Sequence, residues 1–558
     1  MATSRFGTTS VTDRTETTLA NADADLALSH VRLYSPLPED FPEHPTGIDH
    51  LHYIRYRLAS GPAASADADA ILIMQPGNWA GPYSLDGIAR NTLRQAARKG
   101  RAVEFWALAR RGKGATDNTG IETACAEGDP DLAFGYYYRG EPIDGKSFAG
   151  FTSSREMPYL AHLGFVTAVE DTHEVLTREL PDPAVSREKV FVGGHSAGGP
   201  VAGAFGAWDF DGVPGHDLVK GFIALDSGII ADGGALTRPF RRPITALGAP
   251  FYRLALALLR SGRLPRAFDS IPMMSPEFLY VLRLMGLYAT FEPDADVSVM
   301  REARPLVDTG RARKLLWELS IRATFAETWR QALTGRPDPL ARKLTGTAAL
   351  GSALGSGFGV HPLRVSMGRL TGGPLRERSF PIPPAAWRIP GAGYALRLLW
   401  GRPLRIGADP DILYGWDDSS VDDENVSSLQ AFARACTGGP VGIMEPYHPV
   451  RFVLELVLAT LGVRSDELAH IKHERTLETK PLITILEGGF LPGAQRPRTL
   501  RPRRIPLNLG TVHFVPGYSH SDIVCCSART DGTPEPVADH LTDFLVAHTS
   551  GEQGPVIR

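Results

Sequence analysis

The chain has 558 residues and a mass of 60.4 kDa, with 43% hydrophobic residues, 22% charged residues and a formal net charge of −3. These are globular values, room for three or four domains of about 150 residues each, and they exclude a mainly disordered or fibrous chain. The near-neutral charge lacks the basic excess of a dedicated nucleic-acid binder, and the four cysteines (Cys125, Cys436, Cys525, Cys526) lack the paired spacing of a zinc site or a disulfide scaffold.

Residues 1–26 are polar and rich in Thr, Ser and Asp, which predicts a disordered N-terminal tail. No apolar segment of an export signal occurs there. No stretch reaches the ~18 uninterrupted apolar residues of a membrane span. Ile244–Leu259 is broken by Arg253, and Val453–Val463 by Glu455. The absence of any address makes the cytoplasm the expected compartment. From residue 27 to 228, short apolar runs alternate with helical stretches. Strands are expected at 30–34, 52–58, 70–75, 102–109, 189–193 and 221–225, and helices at 84–99, 165–180 and 200–207. Several of the strands are continuously apolar, as in strands covered on both faces, so the fold class is α/β with a mostly parallel central sheet flanked by helices.

The alternation stops near Ile229. Between 229 and 480 the sequence reads as helices (244–260, 276–288, 311–333, 451–461) separated by Pro- and Gly-rich loops. Thr345–Phe358 is biased enough to be a flexible link, with a packed Gly/Ala helix as the alternative. Strands resume at 481–486 and 510–515, and a last helix is expected at 535–548. The simplest organisation is a core formed by 27–228 and 481–558, interrupted by a mainly helical insertion at 229–480 that is larger than a typical domain.

The sharpest motif is Gly194-His-Ser196-Ala-Gly198. An apolar β run, Val190–Val192, precedes it and a small-residue helix start, Gly198–Ala204, follows. That strand–turn–helix context suits a serine held on a strained turn, with its hydroxyl raised above the sheet edge and free helix N–H groups beside it. A serine hydroxyl needs a base to take its proton before it is a useful nucleophile.

With this motif the chain resembles the α/β-hydrolase fold superfamily over about 27–228 and 480–548, but not over the insertion. The resemblance implies an acyl-enzyme mechanism with nucleophile, acid and histidine in that chain order. Ser196 is then the nucleophile. His520, on the loop that follows the last strand through Pro516-Gly517, is the base, whereas His513 lies inside the strand. Asp522 is expected to be a local turn or cap residue. His195 is expected to pack or hydrogen-bond behind the site. The usual acid position falls on Leu491, which cannot serve. Asp226, at the carboxyl tip of Gly221–Leu225, is the preferred substitute, with Glu487 as the alternative acid and Asp409 or Asp411 of the insertion as further candidates. A capping role for Asp226 is the plain alternative. For an oxyanion hole, one backbone N–H is expected from Ala197 and a second from the loop Gln75-Pro-Gly-Asn78-Trp79-Ala-Gly81, with Asn78 first and Trp79 second. Arg111-Gly-Lys-Gly114 resembles a structural turn of the family.

No His-Glu-x-x-His or Walker-type pattern occurs, the glycines near 232–234 and 351 do not open a dinucleotide-binding unit, and Leu500–Arg504 reads as a solvated loop. No metal and no cofactor is expected. The resemblance implies that the insertion, between the sixth and seventh core strands, emerges at the catalytic edge as a large cap. Its apolar helices favour a bulky or hydrophobic small-molecule substrate, without a membrane span or nucleic-acid partner. The expected activity is hydrolysis of a carboxylic ester by a Ser-His-acid triad. Acyl transfer, amide cleavage and C–C bond hydrolysis by the same groups remain open, as does a non-catalytic binding protein of this fold.

Overall fold

A computed structural model describes residues 13–230, 241–297, 310–389, 391, 403–439, 441–474, 479–487 and 510–549. Nine strands form the main sheet: β1 (Arg14–Thr18), β2 (Leu26–Tyr34), β3 (His50–Leu58), β4 (Ala70–Gln75), β5 (Val103–Ala109), β6 (Val190–His195), β7 (Gly221–Leu225), β8 (Leu482–Glu487) and β9 (Thr511–Val515). Their order is β1-β2-β3-β5-β4-β6-β7-β8-β9. The first three pairings, β1–β2, β2–β3 and β3–β5, are antiparallel at one edge, and every pairing from β5 to β9 is parallel. The expected mostly parallel sheet with flanking helices is therefore present. Arg14–Thr18 lies in the stretch expected to be a disordered tail, yet it adds β1 to the edge, where alternating Thr and charged residues stay exposed. Residues 1–12 lie outside the described residues.

The central strands β4, β6 and β7 are buried along their whole length, because helices cover both faces. These are α1 (Asp86–Arg98), α2 (Phe165–Glu179) and α3 (Gly198–Ala207), with the last helix returning to α1. Two apolar layers result, one holding Leu72, Phe105, Phe191 and Ile223 and the other Ile71, Ile73, Val192 and Phe222. The alternation of neighbouring strand residues between the two layers is the period-2 geometry of a pleated sheet.

Between β7 and β8 lie α4 (Arg241–Arg260), α5 (Pro276–Phe291), α6 (Gly310–Phe325), α7 (Trp329–Thr334), α8 (Gly346–Leu354), α9 (Leu429–Thr437) and α10 (Val450–Thr460); α11 (Pro536–Thr549) closes the chain. The single helix expected over 311–333 is two, because Thr328 caps a new start by accepting the Gln331 N–H. The segment expected as a flexible link contains α8, buried except at Ser352 and packed so closely that a Cβ on Gly351 would meet the Trp416 ring at 2.5 Å. Its glycines serve close packing rather than flexibility. The region also carries short strands, Lys343–Leu344, Arg369–Thr371 and Leu413–Asp417 in one sheet and Leu375–Glu377 with Arg405–Gly407 in another, so it is not purely helical. Short polar alternations of two to five residues leave no strong sequence signal. Among the described residues no helix is long and apolar enough to cross a membrane.

Candidate functional site

The carboxyl ends of β6, β7 and β8 meet at Ser196. A sharp turn joins β6 to α3, and Ser196 sits in it at φ 53°, left-handed backbone that is costly for any residue except glycine. Its neighbours make the turn possible. A Cβ on Gly194 would lie 2.4 Å from the Gly198 carbonyl carbon, and one on Gly198 would lie 2.2 Å from the Gln75 oxygen. The sheet ladder continues through these tips: Ser196 N–H donates to Leu225 O at 3.1 Å, and Asp226 N–H donates to Ile485 O at 2.7 Å.

Asp226 is buried and also left-handed, at φ 42°, a conformation aspartate tolerates better than most residues. One carboxylate oxygen accepts the Glu487 N–H at 2.9 Å; the other is hydrogen-bonded to His520 Nδ1. Thus Asp226 and His520 are brought together, and Glu487 supports Asp226 through its backbone. Burial, with the Asp226 charge beside it, pushes the Glu487 carboxyl up to about 7. Asp409 accepts the Asp411 N–H at 2.9 Å in a local turn of the insertion. Leu491, Leu500–Arg504 and the glycines at 232–234 lie outside the described residues.

His195 is buried behind His520, ring centroids 4.5 Å apart, and its Nε2–H donates to the His520 carbonyl at 2.9 Å. Burial, reinforced by the neighbouring His520, lowers its pKa to about 3, so the ring is neutral. Asp522 does more than cap its own turn. It is fully buried and accepts the Ser519 N–H, the Ser366 N–H and the Ser366 hydroxyl, each at 2.7 Å, which ties the His520 loop to the insertion. Desolvation by this burial raises its pKa.

On the other flank, Gly77 to Ala80 form a turn closed by the Ala80 N–H on Gly77 O, with Trp79 at φ 57° in the third position, as a type II turn requires. A Cβ on Gly77 would stand 3.2 Å from both Ser196 Cβ and His195 Nδ1, so glycine lets this loop pass over the serine. The carbonyls of the loop face away into protein. Arg110 donates to Pro76 O at 2.5 Å, Gly77 O at 3.0 Å and Ala80 O at 3.3 Å, while the Glu445 N–H donates to Trp79 O at 2.7 Å. Glu445 pairs with Arg110 at 3.0 Å and accepts His448 Nδ1–H at 2.8 Å, all three side chains being buried. Burial alone would raise the Glu445 carboxyl, but His448 and Arg110 outweigh it and hold it below the ordinary range. Asn78 Oδ1 and Trp79 Nε1 are buried with no partner among the described residues. Ala197 is the N-cap of α3, where an N–H has no intrahelical acceptor.

Arg110, Glu445 and His448 were not singled out in the sequence. The signal was present: Glu445 stands in the apolar run Pro440-Val-Gly-Ile-Met-Glu-Pro-Tyr-His448, and a carboxylate in such a run demands a buried cation. A cavity of about 50 Å³ lined by Met285, Phe325, Leu344 and Phe358 lies within the insertion and is not lined by Ser196, Asp226 or His520. Among the described residues no cluster of His, Cys, Asp and Glu has the arrangement of a metal site.

No protein-family model matches the chain, and no curated protein matches it. Solved structures similar to it include an α/β-hydrolase from Penicillium sp. sh18, at 20% identity over 41% of this chain and 55% of that one, with a TM-score of 0.19. An acetyl xylan esterase from Paenibacillus sp. R4 is 12% identical over 45% of this chain and 62% of its own, TM-score 0.23. A peroxisomal α/β-hydrolase from Saccharomyces cerevisiae is 11% identical over 96% and 94%, TM-score 0.33. The chain thus spans little more than half the length of the first two. At TM-scores this low, these likenesses decide nothing about function.

Proposed function

We propose that the chain is a serine hydrolase of the α/β-hydrolase type that cleaves a carboxylic ester, one with a bulky or hydrophobic acyl or alcohol part. The observation that carries this reading is the hydrogen bond between the buried Asp226 carboxylate and His520 Nδ1, made at the strand tips beside a serine in a strained turn. With Nδ1 bonded to Asp226, Nε2 is the ring nitrogen assigned as the base in this reading. In the proposed reaction Nε2 takes the Ser196 hydroxyl proton as Oγ attacks the ester carbonyl. The carbonyl π electrons move onto oxygen, and the Ala197 N–H and an N–H of the Asn78 turn receive that oxyanion. Collapse breaks the C–O bond to the alcohol, which leaves with the proton from His520, and water then releases the acid by the same sequence. Asp226 fixes the imidazole orientation and balances its positive charge.

In this reading residues 27–228 and 481–558 form the core and 229–480 act as a cap over the site. Two contacts support that division of labour: Glu445 of the insertion on Arg110, and Ser366 of the insertion on Asp522. The test is labelling by a fluorophosphonate, followed by assay of aryl esters of increasing acyl length. Covalent label on Ser196, lost in Ser196→Ala with unchanged circular dichroism, is the expected result. A chain that takes no label and releases no acid from any ester sinks the proposal.

A further inference from the structure

α4 is apolar on two faces, and only one of them is covered. Its inner face carries Gly248, Tyr252, Leu256 and Leu259, all buried. A Cβ on Gly248 would stand 2.6 Å from a Val463 methyl, and the Tyr252 hydroxyl donates to Glu455 at 2.6 Å, so α10 and the residues after it fill this side. The outer face carries Leu247, Phe251 and Leu254, which are 71%, 57% and 60% exposed. Steps of four and three residues put them in one stripe along the helix, and Leu264, also exposed, continues beyond its end. Bare aromatic and aliphatic side chains in a continuous row mark a surface that is covered by something else.

The charge around the stripe identifies what covers it. Between Asp232 and Asp269 the sequence holds seven arginines and no aspartate, glutamate or lysine, in a chain whose 59 basic and 62 acidic residues otherwise nearly balance. Arg253, Arg260 and Arg263 are exposed, the first two on the flank of α4 about 100° or more round the helix from the stripe and Arg263 beside Leu264, and none forms an ion pair with a described residue. The face is the convex side of a helix rather than a groove, so it offers a partner protein no cleft to enter. A lipid surface needs none: it takes Leu and Phe among the acyl chains and arginine against anionic headgroups.

We propose that α4 docks the protein on an anionic lipid bilayer, with Leu247, Phe251 and Leu254 entering the acyl boundary and Arg253, Arg260 and Arg263 engaging the headgroups. This stands independently of the reaction assigned to Ser196. The test is flotation of the full chain with vesicles of phosphatidylcholine alone or with about 30% phosphatidylserine. Binding to the anionic vesicles, weak binding to the neutral ones and loss of binding at high salt are expected. Phe251→Ser with Leu254→Ser lowers the partition by at least about tenfold, and Arg253→Ser or Arg260→Ser by about fivefold each. These side chains are exposed, so thermal melting and ester hydrolysis in solution stay unchanged. No flotation with anionic vesicles, equal binding to both compositions, or binding indifferent to the substitutions overturns the proposal. So does a concentration-dependent dimer that Phe251→Ser dissolves, which would make the stripe a contact between copies of this chain.

Discussion

Around Ser196 some polar groups hang from strand ends, and others sit on loops that the insertion holds. Ser196, Asp226 and Glu487 are fixed by N–H groups bonded across β6, β7 and β8, a ladder the core sheet makes by itself. The Gly77–Ala80 turn and the His520 loop are fixed instead by bonds into the insertion: Arg110 to Glu445, the Glu445 N–H to Trp79 O, and Ser366 to Asp522. The difference teaches that the insertion is part of the site's framework. Removing it would leave the strand tips in place but take the Glu445 counter-charge from Arg110 and the Ser366 donors from Asp522.

Four substitutions break or sharpen this contrast. Asp226→Asn is the most severe on the sheet side: turnover is expected to fall by about 10³ to 10⁴ with the fold intact, because the imidazole loses its orienting anion. Steady-state assay beside circular dichroism reads both. On the insertion side Glu445→Ala leaves Arg110 buried without its counter-charge, a loss of about 3–5 kcal/mol in unfolding free energy. Urea titration measures it, and a change below ~1 kcal/mol would mean that Arg110 does not depend on the pair. Asp522→Ala removes the acceptor of the Ser366 and Ser519 N–H groups, at a cost of about 1–3 kcal/mol.

The smallest effect is that of Glu487→Gln. Since its backbone N–H, not its carboxylate, contacts Asp226, turnover at pH 8 should stay within about threefold of the parent. Its pH signature has a definite sign. The folded carboxyl titrates near 7 rather than 4.5, so the folded state binds the extra proton, and stability falls as pH rises from 4.5 through 7. The Gln variant escapes that loss. Its melting temperature should exceed the parent's by about 1–3 °C at pH 8 and match it near pH 4, the gap kept small by partial solvent screening. A large loss of turnover in this variant, with Asp226→Asn mild, would reverse the roles of the two carboxylates.

Much of the sheet side was legible in the sequence because it is local. Val190–Val192 before Gly194 and small residues after it specify a strand, a tight turn and a helix within eighteen residues. Asp226 and Glu487 both end apolar strand runs, so the runs themselves did not separate the two. The loop side was not legible in the same way. Asn78 and Trp79 announce a turn, but the groups that hold it, Arg110 and Glu445, are 335 residues apart in the chain. Asp522 looked like a local cap because Ser519 is three residues away; Ser366, its other partner, leaves no mark in the sequence around it. The Gly/Ala composition of 345–358 suits both a loose linker and a helix pressed against Trp416, and only the partner distinguishes them.

The hydrogen bond between Asp226 and His520 spans 294 residues. Strands β1 to β7 can pair as soon as residue 225 is available, whereas β8 and β9 must wait for the whole intervening chain. The entropy of closing so long a loop grows only logarithmically, so the final structure is barely penalised, but the search for parallel pairing across it is slow. Order of assembly follows: the serine's turn forms early and is completed late. During refolding, labelling of Ser196 by a fluorophosphonate should lag behind the recovery of the helical and sheet signal, and a half-built sheet with the β7 edge bare is the species most exposed to aggregation in the interval.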